Sequence, residues 1–322
     1  MPLLDLRNLI VHYDAREGLV EAIDQVSLGI EEGEVVGLVG ESGCGKTTVA
    51  RAILNAIPSP PGMIKGGEIY FKNNNILKMD EKEFNTKIRG RDITLIPQDP
   101  FNSLNPLFTI GTQVWDLVSP KFADPLRRKD KNLVRERILD MMTRVQLPEP
   151  ASLLRKYPHE LSGGQRQRIM IAIALIVNPA LVIADEPTTA LDVTVQAQIV
   201  SLLLRLVERR NISVLYITHD LAVASKLADR IVVMYAGQEM ESALTEAFFA
   251  SPSHPYTKKL LDCLPNPGGS IQNIPGRIPT LIRPPKGCRF HDRCDRAKAI
   301  CSRNKASWKE GSPEHWIRCH NP

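Results

Sequence analysis

Long apolar runs are what this sequence most clearly lacks. Its most apolar stretch, "IMIAIALIV" at residues 169–177, is far shorter than the ~20 residues that a membrane-spanning helix requires. The first residues include early acidic side chains and no small-residue cleavage site, so we expect no signal peptide. We therefore expect a chain that has no membrane span of its own and works on the cytosolic side.

Aromatic residues and cysteine are also scarce. Aromatics make up 5% of the chain and do not alternate with basic residues, so we do not expect nucleic acid as a partner. Two of the six cysteines, Cys44 and Cys263, stand apart, and the other four lie close to the C-terminus. Stable disulfides are not expected in a cytosolic protein.

Charge is unevenly distributed along the chain. The net charge is +5, but residues 251–322 hold 13 Lys/Arg against 5 Asp/Glu, whereas the rest holds 28 against 31. A basic tail is typical of proteins that bind an anionic partner, such as nucleic acid or a membrane surface. More often, however, such a tail only forms a solvated face without a ligand. Proline, glycine and basic residues replace the earlier pattern near residue 250. We therefore expect one domain at 1–250 and a C-terminal extension at 251–322.

Strand-like and helix-like segments alternate through most of the first domain, which predicts an α/β fold with a parallel sheet. "EVVGLVG" reads as a buried strand that runs into a glycine-rich turn and a helix, "KTTVARAILNAI". From about residue 99 to 168 the strands stop and helical patterns follow, which indicates an inserted helical subdomain. The tail has too few apolar residues to form a core alone and needs packing partners or a staple.

The stretch "GESGCGKTT" has the spacing of a phosphate-binding loop and lies between a predicted strand and a predicted helix. Backbone N–H groups would wrap the phosphates, and Lys46 would reach the β- and γ-phosphates. The hydroxyl of Thr47 would hold Mg²⁺. An unliganded glycine turn is the alternative. The candidate ATP-binding residues here are Gly40, Ser42, Gly43, Cys44 (as a backbone donor), Gly45, Lys46, Thr47 and Thr48.

Two acids end the apolar strand in "ALVIADEPTTALD". The carboxyl edge of a parallel sheet is where ligands bind in such folds. Asp185 would therefore reach Mg²⁺, and Glu186 would activate the water that attacks the γ-phosphate. The alternative is that the acids only mark the end of a strand. In "LSGGQRQR", Ser162 and Gly163 are typical of a helix start with free backbone donors, which suits phosphate but also a plain N-cap.

Five stretches, "GESGCGKTT", "IPQDP", "LSGGQ", "LVIADEP" and "ITHD", occur in the order found in ATP-binding subunits of ABC transporters. The sequence resembles that family over residues 40–220. The resemblance implies a P-loop (RecA-like) core, an N-terminal antiparallel β subdomain and an inserted α-helical subdomain. It also implies an ATPase that uses ATP and Mg²⁺.

The resemblance implies roles for further residues. Gln98 of the Q-loop would contact Mg²⁺ and the attacking water, and His219 would contact the γ-phosphate. Asp192 lies in the D-loop. Tyr13 would stack on adenine, although a buried core tyrosine is the alternative. Two such chains pair head to tail, and the partner's ATP would contact the signature residues Ser162, Gly163, Gly164 and Gln165.

Three further stretches, "QDPFNSLNP", "HPYTKKLLDCLP" and "IPGRIPTLIRPPKGCRFHDRC", resemble the oligopeptide/dipeptide importer branch, and its D-type subunits most. This implies a homologous ATPase partner (a heterodimer, or else a homodimer), two integral membrane permeases and, indirectly, an extracytoplasmic substrate-binding protein. The chain would then be peripheral on the cytoplasmic face of the membrane. Nickel or glutathione importers are the alternative, and a soluble ATPase acting on nucleic acid is a distant one.

The four C-terminal cysteines are spaced Cys288-x5-Cys294-x6-Cys301-x17-Cys319. Zinc modules usually contain two close cysteine pairs, and this spacing has none. Four thiolates also hold a [4Fe–4S] cluster, towards which the family resemblance points, while zinc or no metal stays open. His291, His315 and His320 would replace cysteine ligands if zinc binds, and otherwise we expect them at the surface. The simpler role for a metal or cluster bound by these cysteines is to stabilise the C-terminal extension. Redox sensing is the alternative.

Overall fold

The structure is a computed structural model and describes residues 2–121, 131–189, 191–264 and 273–322. The chain divides into two compact units, Met1–Lys78 with Tyr216–Pro322 and Met79–Leu215. The predicted helical subdomain at about 99–168 falls in the second unit, except that residues 122–130 lie outside the described residues. None of the described helices combines the length and the hydrophobicity that crossing a bilayer requires.

The twelve described strands are β1 (Leu4–Ala15), β2 (Gly18–Ile30), β3 (Val35–Val39), β4 (Gly62–Phe71), β5 (Asn74–Asn75), β6 (Ile93–Ile96), β7 (Leu181–Asp185), β8 (Ser213–Thr218), β9 (Arg230–Tyr235), β10 (Gln238–Leu244), β11 (Lys309–Ser312) and β12 (His315–Ile317). The α-helices that the structure describes are α1 (Lys46–Ile53), α2 (Glu81–Lys87), α3 (Ile110–Val118), α4 (Lys131–Arg144), α5 (Pro150–Leu153), α6 (Gly163–Ile176), α7 (Val193–Glu208), α8 (Leu221–Leu227), α9 (Thr245–Ala250), α10 (Pro255–Asp262) and α11 (Ala299–Arg303).

The predicted N-terminal β subdomain is an antiparallel sheet of four strands in the order β2-β1-β4-β5, within the first unit. In β1, Leu4 pairs with Ile30 of β2 on one side and with Phe71 of β4 on the other. All three of these side chains are buried, so one face of this sheet contributes to the core.

The first unit also contains a mixed sheet. β3 lies parallel to β9, with Val36 opposite Arg230. β9 pairs antiparallel with β10, and the C-terminal hairpin of β12 and β11 continues beside β10, where Glu241 pairs with Ile317. The C-terminal extension is therefore hydrogen-bonded into a sheet of this unit. In the second unit, β6 and β7 pair in parallel and their apolar side chains are mostly buried.

The first helix is shorter than the sequence predicts. α1 begins at Lys46 as expected but ends at Ile53, because Asn55 adopts a left-handed φ of 47°. The N–H of Ala56 then donates to the carbonyl oxygen of Arg51 at 2.7 Å, which closes the helix end. Asparagine tolerates this conformation better than most residues, so the stop is local in origin.

The extension contributes aromatic residues to the core of the first unit, which supplies the packing that the tail was predicted to need. The ring of Tyr235 in β9 lies 4.7 Å from that of Tyr256 in α10 and 5.1 Å from that of Phe290. All three side chains are fully buried. Each such aromatic pair contributes about 1 kcal/mol beyond its buried area.

Candidate functional site

The glycine-rich loop lies between β3 and α1, as predicted. Gly40 has φ 155° and Gly45 has φ 107°. A Cβ on Gly40 would lie 2.2 Å from the carbonyl oxygen of Met234, and one on Gly45 would lie 2.8 Å from Ile23 Cδ1. Both distances are shorter than real Cβ contacts, so only glycine fits at these two positions. The loop therefore makes its tight turn at the N-terminus of α1, where phosphate is favoured.

The side chain of Lys46 lies inside this loop. Its Nζ donates to the carbonyl oxygens of Gly40 at 2.8 Å and Glu41 at 3.2 Å, and the residue is 4% exposed. Cys44 is buried as well, and burial raises the pKa of its thiol. A buried, protonated thiol agrees with the interpretation that Cys44 contributes backbone and packing rather than chemistry. Ser42, Gly43, Thr47 and Thr48 complete the loop and the first turn of α1.

The other two predicted ATP contacts in the first unit are Tyr13 and His219. Tyr13 lies in β1 opposite Gly62 of β4 and is half-buried, whereas a core tyrosine such as Tyr235 is fully buried. A Cβ on Gly62 would lie 2.7 Å from Tyr13 Cε1. His219 follows β8 and is exposed. The next residue, Asp220, caps α8 by accepting from the N–H groups of Ala222 and Val223.

In the second unit the two predicted acids end β7. Asp185 is its last residue and is buried, and Glu186 follows with a left-handed φ of 45°. Gln98 Nε2 donates to Glu186 Oε2 at 3.2 Å, and the hydroxyl of Thr189 donates to the same oxygen at 3.1 Å. An unusual backbone conformation and two side-chain donors therefore orient this carboxylate. The sequence prediction named Gln98 but missed Thr189.

The signature stretch begins α6 of the second unit. Ser162 accepts from the N–H of Gln165 at 3.3 Å, and Gln165 Oε1 accepts from the N–H of Ser162 at 3.0 Å. This reciprocal capping box confirms the predicted helix start. A Cβ on Gly163 would lie 3.3 Å from Phe101 Cζ, so the helix start packs closely on the segment that follows Gln98. The guanidinium of Arg166 lies over the Phe101 ring at 4.3 Å.

Asp192 is the N-cap of α7. Its Oδ1 accepts from the N–H of Val195 at 2.9 Å. A Cβ on Gly164 would lie 3.0 Å from Val195 Cγ1, so the start of α7 packs against the signature glycines. Ala190 of the same D-loop lies outside the described residues. The second unit thus brings Gln98 to Glu186, and the start of α6 to the start of α7.

Comparison with known proteins identifies this arrangement. The sequence pattern described as "ABC transporter" matches residues 23–189, which is more than half of the chain. The chain belongs to the ABC transporter family. A second pattern, described as "Oligopeptide/dipeptide transporter, C-terminal region", matches residues 240–301. Both predicted resemblances are therefore confirmed, and the chain is one of the ATP-hydrolysing subunits of this family.

The similarity to other ABC transporter proteins extends over nearly the whole chain. The dipeptide transport ATP-binding protein DppD of Bacillus subtilis is 41% identical, over 98% of this chain and 93% of its own length. DppD of Escherichia coli is 39% identical, over 100% and 97% respectively. Among solved structures, the ATP-binding cassette MJ0796, in a dimeric post-hydrolysis state with ADP and Pi, is 32% identical with a TM-score of 0.66. It covers 75% of this chain and 98% of its own.

The four C-terminal cysteines of this ABC transporter subunit line one small cavity in the first unit. His254, Phe290, His291 and His320 also line it. None of the cysteines forms a disulfide. The fold thus brings together four thiols that are spread over residues 288–319 of the sequence. The cysteines are Cys288, Cys294, Cys301 and Cys319.

Backbone N–H groups point at these sulfur atoms. Cys301 Sγ accepts from the N–H of Lys298 at 3.4 Å, and Cys319 Sγ accepts from the N–H of Asn321 at 3.3 Å. Burial, followed by the neighbouring cysteines, raises the pKa of Cys288 to about 12. Thiolates that are buried close together repel one another when no cation is bound. A bound cation would reverse this balance, because it stabilises thiolates.

His254, which also lines the cavity, carries a buried donor without a partner among the described residues. His254 Nδ1 accepts from the N–H of Tyr256 at 3.0 Å, so the proton of the neutral ring is on Nε2. Burial lowers the pKa of His254 to about 3 and keeps the ring neutral. Within the described part of the chain, Nε2 has no hydrogen-bond partner although it is fully buried. A buried N–H beside four cysteines suits a ligand that carries acceptor sulfur atoms.

The described residues contain no group of three or more His, Cys, Asp or Glu side chains that converges as ligands of one metal ion. The geometry of these side chains therefore gives no direct support to a zinc ion or to an iron–sulfur cluster.

The expectation that His291, His315 and His320 lie at the surface is corrected in part. His291 and His320 lie at the cavity, but His315 is buried, not at the surface, and its Nε2 lies 2.6 Å from Glu241 Oε1. His315 is buried because its partner, the Glu241 carboxylate in β10, is itself buried. His254, which sequence reasoning missed, precedes the "PYT" stretch of α10, and only its position in the fold reveals it.

Proposed function

We propose that this chain is the ATP-hydrolysing motor of an importer for dipeptides or oligopeptides, and that it acts on separate membrane permeases. The observation that carries the proposal is the C-terminal region typical of oligopeptide/dipeptide transporters at residues 240–301. Relatives named as dipeptide transport ATP-binding proteins, similar over almost their full length, support the same substrate class. The predicted division into a cassette at 1–250 and an extension at 251–322 is part of this proposal.

We further propose how the site residues share the reaction. Lys46 and the N–H groups of the loop neutralise the β- and γ-phosphates, and His219 contacts the γ-phosphate. Glu186 accepts a proton from the attacking water, while Gln98 orients that water. Tyr13 stacks on the adenine. Two donors on Glu186 Oε2 support the assignment, because they hold the carboxylate in one orientation.

The oxygen ligands available suit Mg²⁺, which prefers hydroxyl, carboxylate and amide oxygens. Thr47, Asp185 and Gln98 are the proposed ligands. When bound, the ion neutralises charge that develops on the β- and γ-phosphate oxygens. Asp185 lies buried at the end of its strand, and this restricts the directions in which its carboxylate can coordinate.

We propose that hydrolysis requires two cassettes. In the head-to-tail pair, Ser162, Gly163, Gly164 and Gln165 contact the ATP held by the partner, and Asp192 lies at the interface. The dimeric state described for the similar cassette MJ0796 supports a dimer. A homologous subunit of the F type is the proposed partner, because the curated relatives named above are D-type subunits. The pair would lie on the cytoplasmic face of the membrane and receive substrate from an extracytoplasmic binding protein through two permeases.

We also propose that the four cysteines hold a [4Fe–4S] cluster. The supporting observation is that the four cysteines line one cavity in the first unit. A cluster of four irons would take one cysteine thiolate at each iron, which matches the number of cysteines in the cavity. The Nε2–H of His254 would donate to one of its sulfur atoms. The role proposed for the cluster is to fasten a basic extension that has little apolar core of its own.

The function is tested by reconstitution. The chain, a homologous ATPase partner and the two permeases are placed in lipid vesicles with the binding protein, and ATP hydrolysis is measured. We expect dipeptides or oligopeptides to stimulate hydrolysis, and Lys46→Ala to abolish it. Stimulation by nickel or glutathione in place of peptides would overturn the substrate assignment.

A further inference from the structure

A residue of the Cys-rich segment reaches the phosphate loop. Arg293, which directly precedes Cys294, is 9% exposed. Its Nη1 donates to Glu41 Oε2 at 2.8 Å, and its Nη2 donates to Glu41 Oε1 at 3.2 Å. Glu41 is the second residue of the "GESGCGKTT" loop. A guanidinium that donates to both oxygens of a carboxylate fixes the orientation of that carboxylate and compensates its charge.

The remaining donors of Arg293 are used as well. Nε donates to the carbonyl oxygen of Pro275 at 2.9 Å, Nη2 to that of Ile274 at 3.0 Å, and Nη1 to the hydroxyl of Tyr235 at 3.2 Å. A Cβ on Gly276 would lie 3.0 Å from Arg293 Cγ, so the side chain is closely packed. Burial disfavours the charge of Arg293, but the hydrogen bonds to Glu41 and Tyr235 outweigh it and raise the pKa.

A second residue of the extension holds the backbone of Glu41. The hydroxyl of Tyr256 in α10 accepts from the N–H of Glu41 at 3.1 Å. Tyr256 is fully buried and packs on Tyr235 and Phe290, which makes it a rigid support. The carbonyl oxygen of Glu41 accepts from Lys46 Nζ. Glu41 thus connects the extension with the lysine of the phosphate loop.

We propose that the C-terminal extension sets the phosphate loop for ATP through Glu41, with Arg293 and Tyr256 as positioning residues. This inference rests on the proposed function, because it concerns binding of ATP by that loop. The substrate is highly anionic, and a carboxylate within the loop opposes its binding. Arg293 neutralises that carboxylate and holds it in place. Tyr256 at the same time fixes the backbone that carries the oxygen acceptor of Lys46.

The charge argument predicts a specific pattern among variants. Arg293→Gln leaves the negative charge of Glu41 uncompensated inside the loop, and we expect Mg·ATP binding to weaken roughly fivefold. Glu41→Gln removes the charge itself, so we expect an affinity within about twofold of the wild type. The double variant should then bind like Glu41→Gln alone. Only a residue that acts through Glu41 is rescued in this way.

The experiment is a titration of the full-length chain with Mg·ATP, followed with a fluorescent ATP analogue, at low and high salt. The loss in Arg293→Gln should shrink at high salt, because salt screens the repulsion. The matched control is Arg303→Gln, which removes an exposed arginine of the same extension and should change nothing. Circular dichroism verifies that each variant is folded. Steady-state kinetics should show the loss in KM, with kcat little changed.

The results separate this inference from the proposed function. If the wild type fails to bind Mg·ATP, the proposed function is wrong. If the wild type binds and folded Arg293→Gln binds equally well, the inference is overturned. A loss that Glu41→Gln does not rescue also overturns it, because Arg293 would then act only by packing the extension.

If Arg293→Gln does not fold, a second variant tests the proposal. Tyr256→Phe removes only the acceptor of the Glu41 N–H and keeps the buried ring. We expect it to weaken Mg·ATP binding roughly threefold. Unchanged affinity in folded Tyr256→Phe would remove Tyr256 from the proposal, and unchanged affinity in both variants would overturn the whole of it.

Discussion

Gln98 donates a hydrogen bond from its side-chain amide to Glu186 Oε2 at 3.2 Å, across 88 residues of sequence. The hydroxyl of Thr189, three residues after Glu186, donates to the same oxygen at 3.1 Å. Glu186 also has a left-handed backbone, which is rare for glutamate. Such outliers persist where the surroundings enforce them, as at active sites. The carboxylate of Glu186 is therefore held in one orientation.

The first prediction concerns Glu186→Gln. Glutamine is nearly isosteric but does not accept a proton, so we expect ATP hydrolysis to fall about a hundredfold or more. ATP binding should persist, and the ATP-bound dimer should accumulate because its breakdown is blocked. Phosphate release measures the first effect, and size-exclusion chromatography with ATP measures the second.

The matched control for that variant is Glu208→Gln, at the exposed end of α7 in the same unit. It should hydrolyse ATP at the wild-type rate. Hydrolysis by Glu186→Gln at the wild-type rate would show that another group accepts the proton.

The second prediction concerns the helix cap at Ser162. Ser162→Ala removes the acceptor for the N–H of Gln165 and should lower the free energy of unfolding by about 1 kcal/mol. It should also weaken ATP-dependent dimerisation, because the same hydroxyl and helix start are proposed to contact the partner's ATP. Dimerisation is measured in the Glu186→Gln background, where hydrolysis does not interfere.

Asp80→Ala is the matched control, since Asp80 caps α2 in the same unit by accepting from the N–H groups of Lys82 and Glu83. It should cost a similar free energy and leave dimerisation intact. Equal dimerisation by the two variants would mean that Ser162 is only a helix cap.

The third prediction concerns the cysteine cavity. Anaerobically purified protein should contain about four irons and four acid-labile sulfides per chain, with broad absorption near ~400 nm. Cys301→Ser removes a buried thiol of the cavity and should lose most of this content. Cys263→Ser is the control, because Cys263 lies outside the cavity and is half-buried.

Stoichiometric zinc, or no metal in folded and active protein, would contradict the cluster. Equal iron content in both cysteine variants would contradict the assignment of its ligands. In either case the ATPase assignment would be unaffected, because it rests on residues 23–189.

The fourth prediction concerns the dependence of stability on pH. Glu239 is fully buried in β10, and Oε2 lacks a partner among the described residues. Burial, opposed by the N–H of Ser27 and the charge of Arg318, raises its pKa from 4.5 to about 8. Between these values the unfolded chain releases the proton while the folded chain keeps it. The contribution of Glu239 to the free energy of unfolding therefore falls as the pH rises from about 4.5 to 8, and it is constant above pH 8.

Glu239→Gln removes this dependence, because glutamine is always neutral. Its stability relative to the wild type should rise between pH 5 and pH 8, by on the order of 3 kcal/mol. Thermal unfolding at pH 5, 6.5 and 8 measures it, with the exposed Glu310→Gln as the control. A stability difference that is the same at all three pH values would mean that Glu239 is ionised in the folded chain.

The sequence by itself determined the family, the order of the motifs and the elements that carry them. The glycine loop before α1, the acids that end β7 and the serine cap of α6 each depend on neighbours within a few residues. Hydrophobic period, glycine conformation and capping chemistry are local, so a sequence pattern reveals them. The end of α1 at Ile53 was missed, although Asn55 carries a local signal for it.

Only the tertiary structure decided which distant groups meet. Three such arrangements have no signature in local spacing: the hydrogen bond from Gln98 to Glu186, the buried pair of His315 and Glu241, and the position of His254 beside four cysteines. The bond between Arg293 and Glu41 joins residues 252 positions apart. Such contacts arise because packing of Tyr235, Tyr256 and Phe290 brings the extension onto the sheet, and that packing depends on the whole fold of the unit.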